Sequence, residues 1–261
     1  MSLQVVLRLG LVVSLSAAAA PAWDENVHQA VVRVAEERLS NTAKRRQRYY
    51  LGKASNMEEL AFWAETVAEE RPETVSWRSI TIPPDATGLD LDRDCPIGDC
   101  ITIKVREQAG VVRLAHKKRG QVAEAFWFLI HLVPELHQPL NVGYPPGFGL
   151  TDEQVTYQGT QYHIEEFWDR ALFENAGVDD LADRIRRRIT PDKAQEWKRG
   201  NHKDWTWETH LTAVRIAYGA LPPGSPKVLG EEYVNTARAA AEEQLAKAAV
   251  RLAHVLDEVW P

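Results

Sequence analysis

Cysteine is scarce in this 261-residue chain, with two in total, and so is positive charge: 31 lysines and arginines stand against 37 aspartates and glutamates, a formal net charge of −6. Two cysteines exclude a disulfide-dense scaffold and a zinc site built from thiolates alone. A net anionic chain has no global field with which to hold a nucleic acid or any other polyanion. The charge of such a substrate would have to be met by something other than the sum of the side chains. Bound metal ions are the obvious candidate, and eight histidines make them worth following. Past residue 22 there is no apolar run of membrane length, no repeat and no low-complexity tract, so a membrane-spanning or solenoid protein is excluded.

The N-terminus holds the one long apolar run. Arg8, the stretch from Leu9 to Ala20 and the closing Ala20-Pro21-Ala22 have the charge, length and small-x-small ending of a secretory leader. The expectation is a signal peptide over 1–22 and a soluble mature domain over 23–261, secreted or periplasmic. Cleavage there would give Trp23 a free amine. With the residue's own carbonyl oxygen it could close a five-membered chelate on a cation, and His28 follows five residues on. In an oxidising compartment Cys95 and Cys100, in the loop Asp94-Cys-Pro-Ile-Gly-Asp-Cys100, are expected to form one small disulfide.

After residue 23 the periodicity is helical almost throughout. Val27, Val31, Val34, Ala35 and Leu39 form one apolar stripe, and Leu60, Trp63, Ala64 and Val67 form another. Val122 to Ile130 is apolar on nearly every side, the pattern of a helix buried all round. Tyr233, Ala237, Ala241, Leu245, Ala248, Leu252 and Leu256 step by three or four, which predicts a long C-terminal helix packed through its alanines. Connectors rich in proline and glycine fall at 83–99, 139–150 and 221–226, none of them an interdomain linker. Strand signals are confined to Val75–Ile82 and Val155–Tyr157. The expected architecture is all-α, a single multi-helix domain, and a monomer.

The informative residues are ionisable groups in apolar helical context, because burying a charge is costly unless it is paired or metal-bound. His131 and Glu135 are four apart and share a helix face, with Pro134 between them removing one backbone hydrogen bond. Glu165 and Asp169 repeat the spacing with two carboxylates, a face suited to a cation or to a helix start. Lys44 to Arg48 and Arg184 to Arg188 read as solvated basic faces, and the nine tryptophans as core.

Taken in order, these segments resemble the secreted nuclease family of the S-one/P-one type, trinuclear-zinc single-strand nucleases related in fold to bacterial zinc phospholipases C. The resemblance spans Trp23 to about Trp260. It rests on Trp23 with His28, Phe62-Trp-Ala-Glu65, Arg71-Pro-Glu-Thr74 before Trp77, Cys95-Pro-Ile-Gly-Asp-Cys100, His131-Leu-Val-Pro-Glu-Leu-His-Gln-Pro-Leu140, Phe167-Trp-Asp169, Trp207-Glu-Thr-His210 and Gln244 to Ala253.

The resemblance implies a metal-ligand set, which carries over unevenly. Trp23, His28, His131 and Asp169 keep the family's ligand types. Glu65 and Glu135 stand where the family has the shorter aspartate, and metal sites tolerate roughly ±0.2 Å. Arg78 replaces a histidine and is barred from ligation by its protonated guanidinium. Asn141 replaces another histidine. Glu165 stands at a third, with His163 two residues earlier; His137 and His210 are given no ligand role, nor is Glu208. The arginine suited to a transition-state phosphate is Ala68 here, with Arg71 one turn further on, and the base-stacking aromatic is Ser79.

Sorted by site, Trp23, His28 and Glu135 would hold one zinc ion. Glu65, His131 and Glu135 would hold a second, unless Glu65 and Arg78 form an ion pair in which the arginine supplies the charge. Asn141, Glu165 and Asp169 make an oxygen-rich third site that favours calcium, magnesium or manganese. The implied activity is zinc-dependent hydrolysis of single-stranded DNA or RNA, or of another phosphodiester, with Glu65, Arg71 and Arg78 as catalytic candidates. The alternative is a catalytically impaired member acting as a secreted metal- or ligand-binding protein.

Overall fold

The computed structural model describes residues 23–114, 118–145 and 153–261. The expected leader and residues 146–150 of the second connector lie outside the described residues. The helices are α1 (Glu25–Arg38), α2 (Asn41–Tyr50), α3 (Trp63–Glu70), α4 (Leu91–Asp94), α5 (Ile101–Arg113), α6 (Arg119–Leu136), α7 (Ile164–Asp169), α8 (Val178–Arg188), α9 (Pro191–Trp197), α10 (His202–Thr212) and α11 (Glu231–Val259). Short polar side chains start several of them by accepting otherwise unpaired backbone N–H groups. Asp24 caps α1 at Asn26, Ser40 caps α2 at Ala43, Thr190 caps α9 at Lys193 and Asn201 caps α10 at Lys203.

Among the described residues the fold is all-α apart from one small sheet. β1 (Gln154–Tyr157) pairs antiparallel with β2 (Thr160–His163), Val155 opposite Tyr162, and parallel with β3 (Lys227–Val228). β3 had no signal in the sequence, since a two-residue strand has no periodicity to read. The expected strand over Val75–Ile82 is corrected: Pro72 opens a 3-10 helix that runs to Arg78, and only the residues after it extend. Pro fixes φ and lacks an N–H, which suits a helical first turn. Ile80 and Ile82 then donate to the carbonyls of Asn141 and Gly143 at 2.8 and 3.0 Å.

α6 lies among α1, α5 and α11. Phe126, Leu129, Ile130 and Val133 of α6 have no solvent exposure, which accounts for the nearly continuous apolar sequence of its middle. Fully burying one such side chain is worth about 1.5–3 kcal/mol. Ala237, Ala241 and Ala248 of α11 are equally buried and let its neighbours approach closely. None of the nine tryptophans is exposed, and Cys95 is bonded to Cys100. No described helix is long and apolar enough to cross a membrane.

Two ties join Trp23 to the end of α6, and a third joins Asp24 to the end of α7. The Trp23 indole donates to the Pro134 carbonyl at 3.3 Å, the Asp24 amide to the Asp169 carbonyl at 3.2 Å, and the Trp23 amide to Glu135 at 3.4 Å. The turn Pro139–Val142 after α6 is held by His210, whose Nδ1 is 2.7 Å from the Val142 carbonyl. Beside it Gly143 is required, because the Tyr218 hydroxyl stands where a Cβ would be.

Candidate metal centre

α1 supplies His28, and α6 supplies His131 and Glu135; all three have no solvent exposure. Their ligand atoms lie within 4.8 Å of one another, the arrangement that a single ion needs. The two imidazoles stack with centroids 4.5 Å apart. His131 Nδ1 faces the Ala61 carbonyl at 3.2 Å, and since a carbonyl only accepts, that nitrogen carries a proton and Nε2 is the nitrogen left to face the cluster. His28 Nε2 is 2.7 Å from Glu135 Oε1 without the alignment of a hydrogen bond. Both ring nitrogens of His28 and Nε2 of His131 are buried without a hydrogen-bond partner. Orphaned buried nitrogens are costly unless something coordinates them.

Glu65, on the first turn of α3, meets the cluster from the other side. Its Oε1 is 3.1 Å from His131 Nε2, and both its oxygens are 2.5 Å from Nη1 of Arg78, at the end of the 3-10 helix. Burial works to raise the Glu65 carboxyl, but the adjacent His131 and the hydrogen-bonded charge of Arg78 outweigh it and hold the group at about 2. Glu135 goes the other way: burial lifts it to about 7, with Glu65 adding to the rise against His131 and the Asn141 amide. Burial lowers His28 to about 4, so it is neutral at pH 7. Asn141 points its amide inward, donating to Glu135 Oε2 at 2.8 Å and to the Glu135 carbonyl at 3.2 Å.

Trp23, His28, Glu65, Arg78, His131, Glu135 and Asn141 are thus joined in one chain of contacts. Asp169 lies at its edge, buried, accepting from Gln138 at 2.6 Å, its carboxyl raised by burial against that bond. Glu165 is exposed at the start of α7, and His163 is exposed beside Gln154. Arg71 is not brought to the cluster: it pairs with Glu124 at 2.6 Å and Glu73 at 3.2 Å and lies over Trp77 and Phe128. His137 turns away, Nδ1 to the Val133 carbonyl at 2.8 Å and Nε2 to Arg251 at 3.0 Å. Sequence reasoning overlooked the Ala61 carbonyl and Gln138, which orient His131 and Asp169; neither a backbone oxygen nor an ordinary glutamine has a spacing signature.

Residues 23–261 match the family model described as S1/P1 Nuclease. The chain is 24% identical to Endonuclease 2 of Arabidopsis thaliana over 91% of this chain and 90% of that protein. It is 25% identical to Nuclease S1 of Aspergillus oryzae (strain ATCC 42149 / RIB 40), covering 90% of this chain and 91% of the relative. Endonuclease 1 of Arabidopsis thaliana is 24% identical over 99% and 94% of the two chains. With the match running from Trp23 through His28 and His131 to the last residue, the chain belongs to the S1/P1 nuclease family.

Proposed function

We propose that this protein is a secreted, metal-dependent nuclease that cleaves phosphodiester bonds of single-stranded nucleic acid. The observation that carries the reading is the set of buried, unpartnered imidazole nitrogens of His28 and His131 aimed at Glu135. Neutral imidazoles and a carboxylate are a donor set that fits zinc. His28, His131 and Glu135 would hold the ion, joined by the Trp23 nitrogen once cleavage after Ala22 makes it an amine. Bound zinc supplies Lewis acidity and a nucleophilic water near neutral pH.

The chain's own residues do the rest. Ala61 and Asn141 orient His131 and Glu135 and so set the shape of the cage. Glu65, ionised at about 2, remains an acceptor throughout the neutral range and can orient a water through the oxygen it turns to His131. Because the chain carries a net charge of −6, attraction of a polyanion falls to this centre and not to the surface as a whole. The Arg78–Glu65 pair favours one second reading, a secreted binding protein that keeps the metal to tether its N-terminus.

The test uses protein beginning at Trp23, purified without chelator, against single-stranded DNA, RNA and duplex DNA. Zinc-dependent loss of the single strands, abolished by one extra alanine before Trp23, is the expected result. Metal binding with no cleavage of any substrate would leave the binding-protein reading.

A further inference from the structure

We propose that this centre holds one transition-metal ion, and that the Arg78 guanidinium stands as its second cationic element and binds a phosphodiester oxygen. The proposal rests on the metal-dependent reading above and adds the number of ions and the partner of the substrate.

Three observations carry it. First, both oxygens of Glu65 lie 2.5 Å from Nη1 of Arg78. A guanidinium has no lone pair to ligate with, and its charge repels a second divalent ion from the same carboxylate. Second, Glu135 has one oxygen toward the imidazoles, and its other oxygen accepts the Asn141 amide at 2.8 Å. A carboxylate that bridges two ions through its two oxygens needs both. Third, the ligand atoms that converge are one from each of His28, His131 and Glu135, and the Trp23 nitrogen, 3.4 Å from Glu135 Oε1, would make a tetrahedral four once it is a free amine.

Arg78 makes its hydrogen bonds through Nη1 alone among the described residues, and its side chain keeps 11% of its surface. Its remaining N–H groups are left to donate to an anionic oxygen, and a charge-assisted contact of that kind suits phosphate. The charges agree. One divalent ion with Arg78, against the carboxylates of Glu65 and Glu135, leaves a single positive charge, the complement of one phosphodiester.

The experiment counts metal by elemental analysis on protein beginning at Trp23, equilibrated with zinc and dialysed, for wild type, Arg78→His and Arg78→Met. The wild type should hold one ion per chain. Arg78→His, which swaps a donor for a ligand, should hold two, and Arg78→Met should stay at one while binding inorganic phosphate roughly tenfold or more weakly. Two or more ions in the wild type, or unchanged phosphate affinity in Arg78→Met, would overturn the proposal and leave the metal-dependent reading intact. No metal in the wild type would overturn both. Should Arg78→His fail to fold, the wild-type count and the Arg78→Met affinity decide the matter without it.

Discussion

The His28 imidazole on α1 lies against that of His131 on α6, the ring planes 13° from parallel and neither ring exposed. Two stacked imidazoles cannot both be charged at that distance without strong repulsion, and burial keeps His28 neutral well below pH 6. His28 is therefore the neutral member of the stack, and the stack joins α1 to the deeply buried α6.

Metal should hence act as a clasp on α1. At free zinc one hundred times its dissociation constant, binding adds about 2.7 kcal/mol to stability. For a domain of this size that is a rise of roughly 5–10 °C in Tm. Chelator should reverse it in the wild type, and His131→Ala should show neither the rise nor the response to chelator in a thermal melt.

Glu135 makes the metal-free protein respond to pH. Its carboxyl titrates at about 7 in the folded chain and near 4.5 when unfolded, so between these values the folded state binds the extra proton. Stability from this group is therefore lost as pH rises from 4.5 to 7. His28 opposes it: folded near 4 and unfolded near 6.5, it adds stability as pH rises through that window. Glu135→Gln removes the first effect and leaves the second. In chelator the variant should gain on the wild type as pH rises from 5 to 8, read as the difference in urea midpoints. A constant difference would show that Glu135 does not titrate there.

How far the centre could be read in advance depends on the distance between its parts along the chain. His131 and Glu135 share one helix face, so their spacing alone places them together. Nothing local brings His28 to them across more than a hundred residues; that position was legible only through likeness to a family. The all-α fold followed from periodicity, but the 3-10 path of Pro72–Arg78 did not, because Val75 and Trp77 are equally at home in a strand. Asn141 reads as a weak ligand in the sequence, whereas in the structure its amide donates to the carboxylate that would do the ligating.

The Cys95–Cys100 bridge closes a short loop at the start of α5, where the Ile101 amide donates to the Ser79 carbonyl at 3.1 Å. A loop this short limits the unfolded chain only modestly, by about 2 kcal/mol in the chain-entropy treatment. The double variant Cys95→Ser with Cys100→Ser should fold and melt roughly 4–8 °C lower. Because the bridge also steadies the segment after Arg78, its loss should be accompanied by faster hydrogen exchange at Ile80 and Ile82, the two amides that bond to the turn carrying Asn141.

Arg251 of α11 ties the far end of α6 in place with three different partners. Its Nε donates to the Trp197 carbonyl at 2.9 Å, Nη1 to His137 Nε2 at 3.0 Å and Nη2 to Glu208 at 2.5 Å. Burial, reinforced by the arginine's charge, pushes His137 down to about 3, so the ring is neutral: it donates from Nδ1 to Val133 and accepts at Nε2. Removing one member of a buried ion pair costs about 3–5 kcal/mol, and the cost here falls below that range because Glu208 keeps 36% of its side-chain surface and stays paired with Lys247 at 2.6 Å. Arg251→Met should lower the urea midpoint accordingly. Arg251→Lys should rescue little, since an ammonium has the charge but not the planar fork that spans a carbonyl, an imidazole and a carboxylate at once. Full rescue by lysine would mean that charge near Glu208 matters and the contact with His137 does not. In that case the turn after Glu135 is held without Arg251, through His210 at the Val142 carbonyl and through the Ile80 and Ile82 amides.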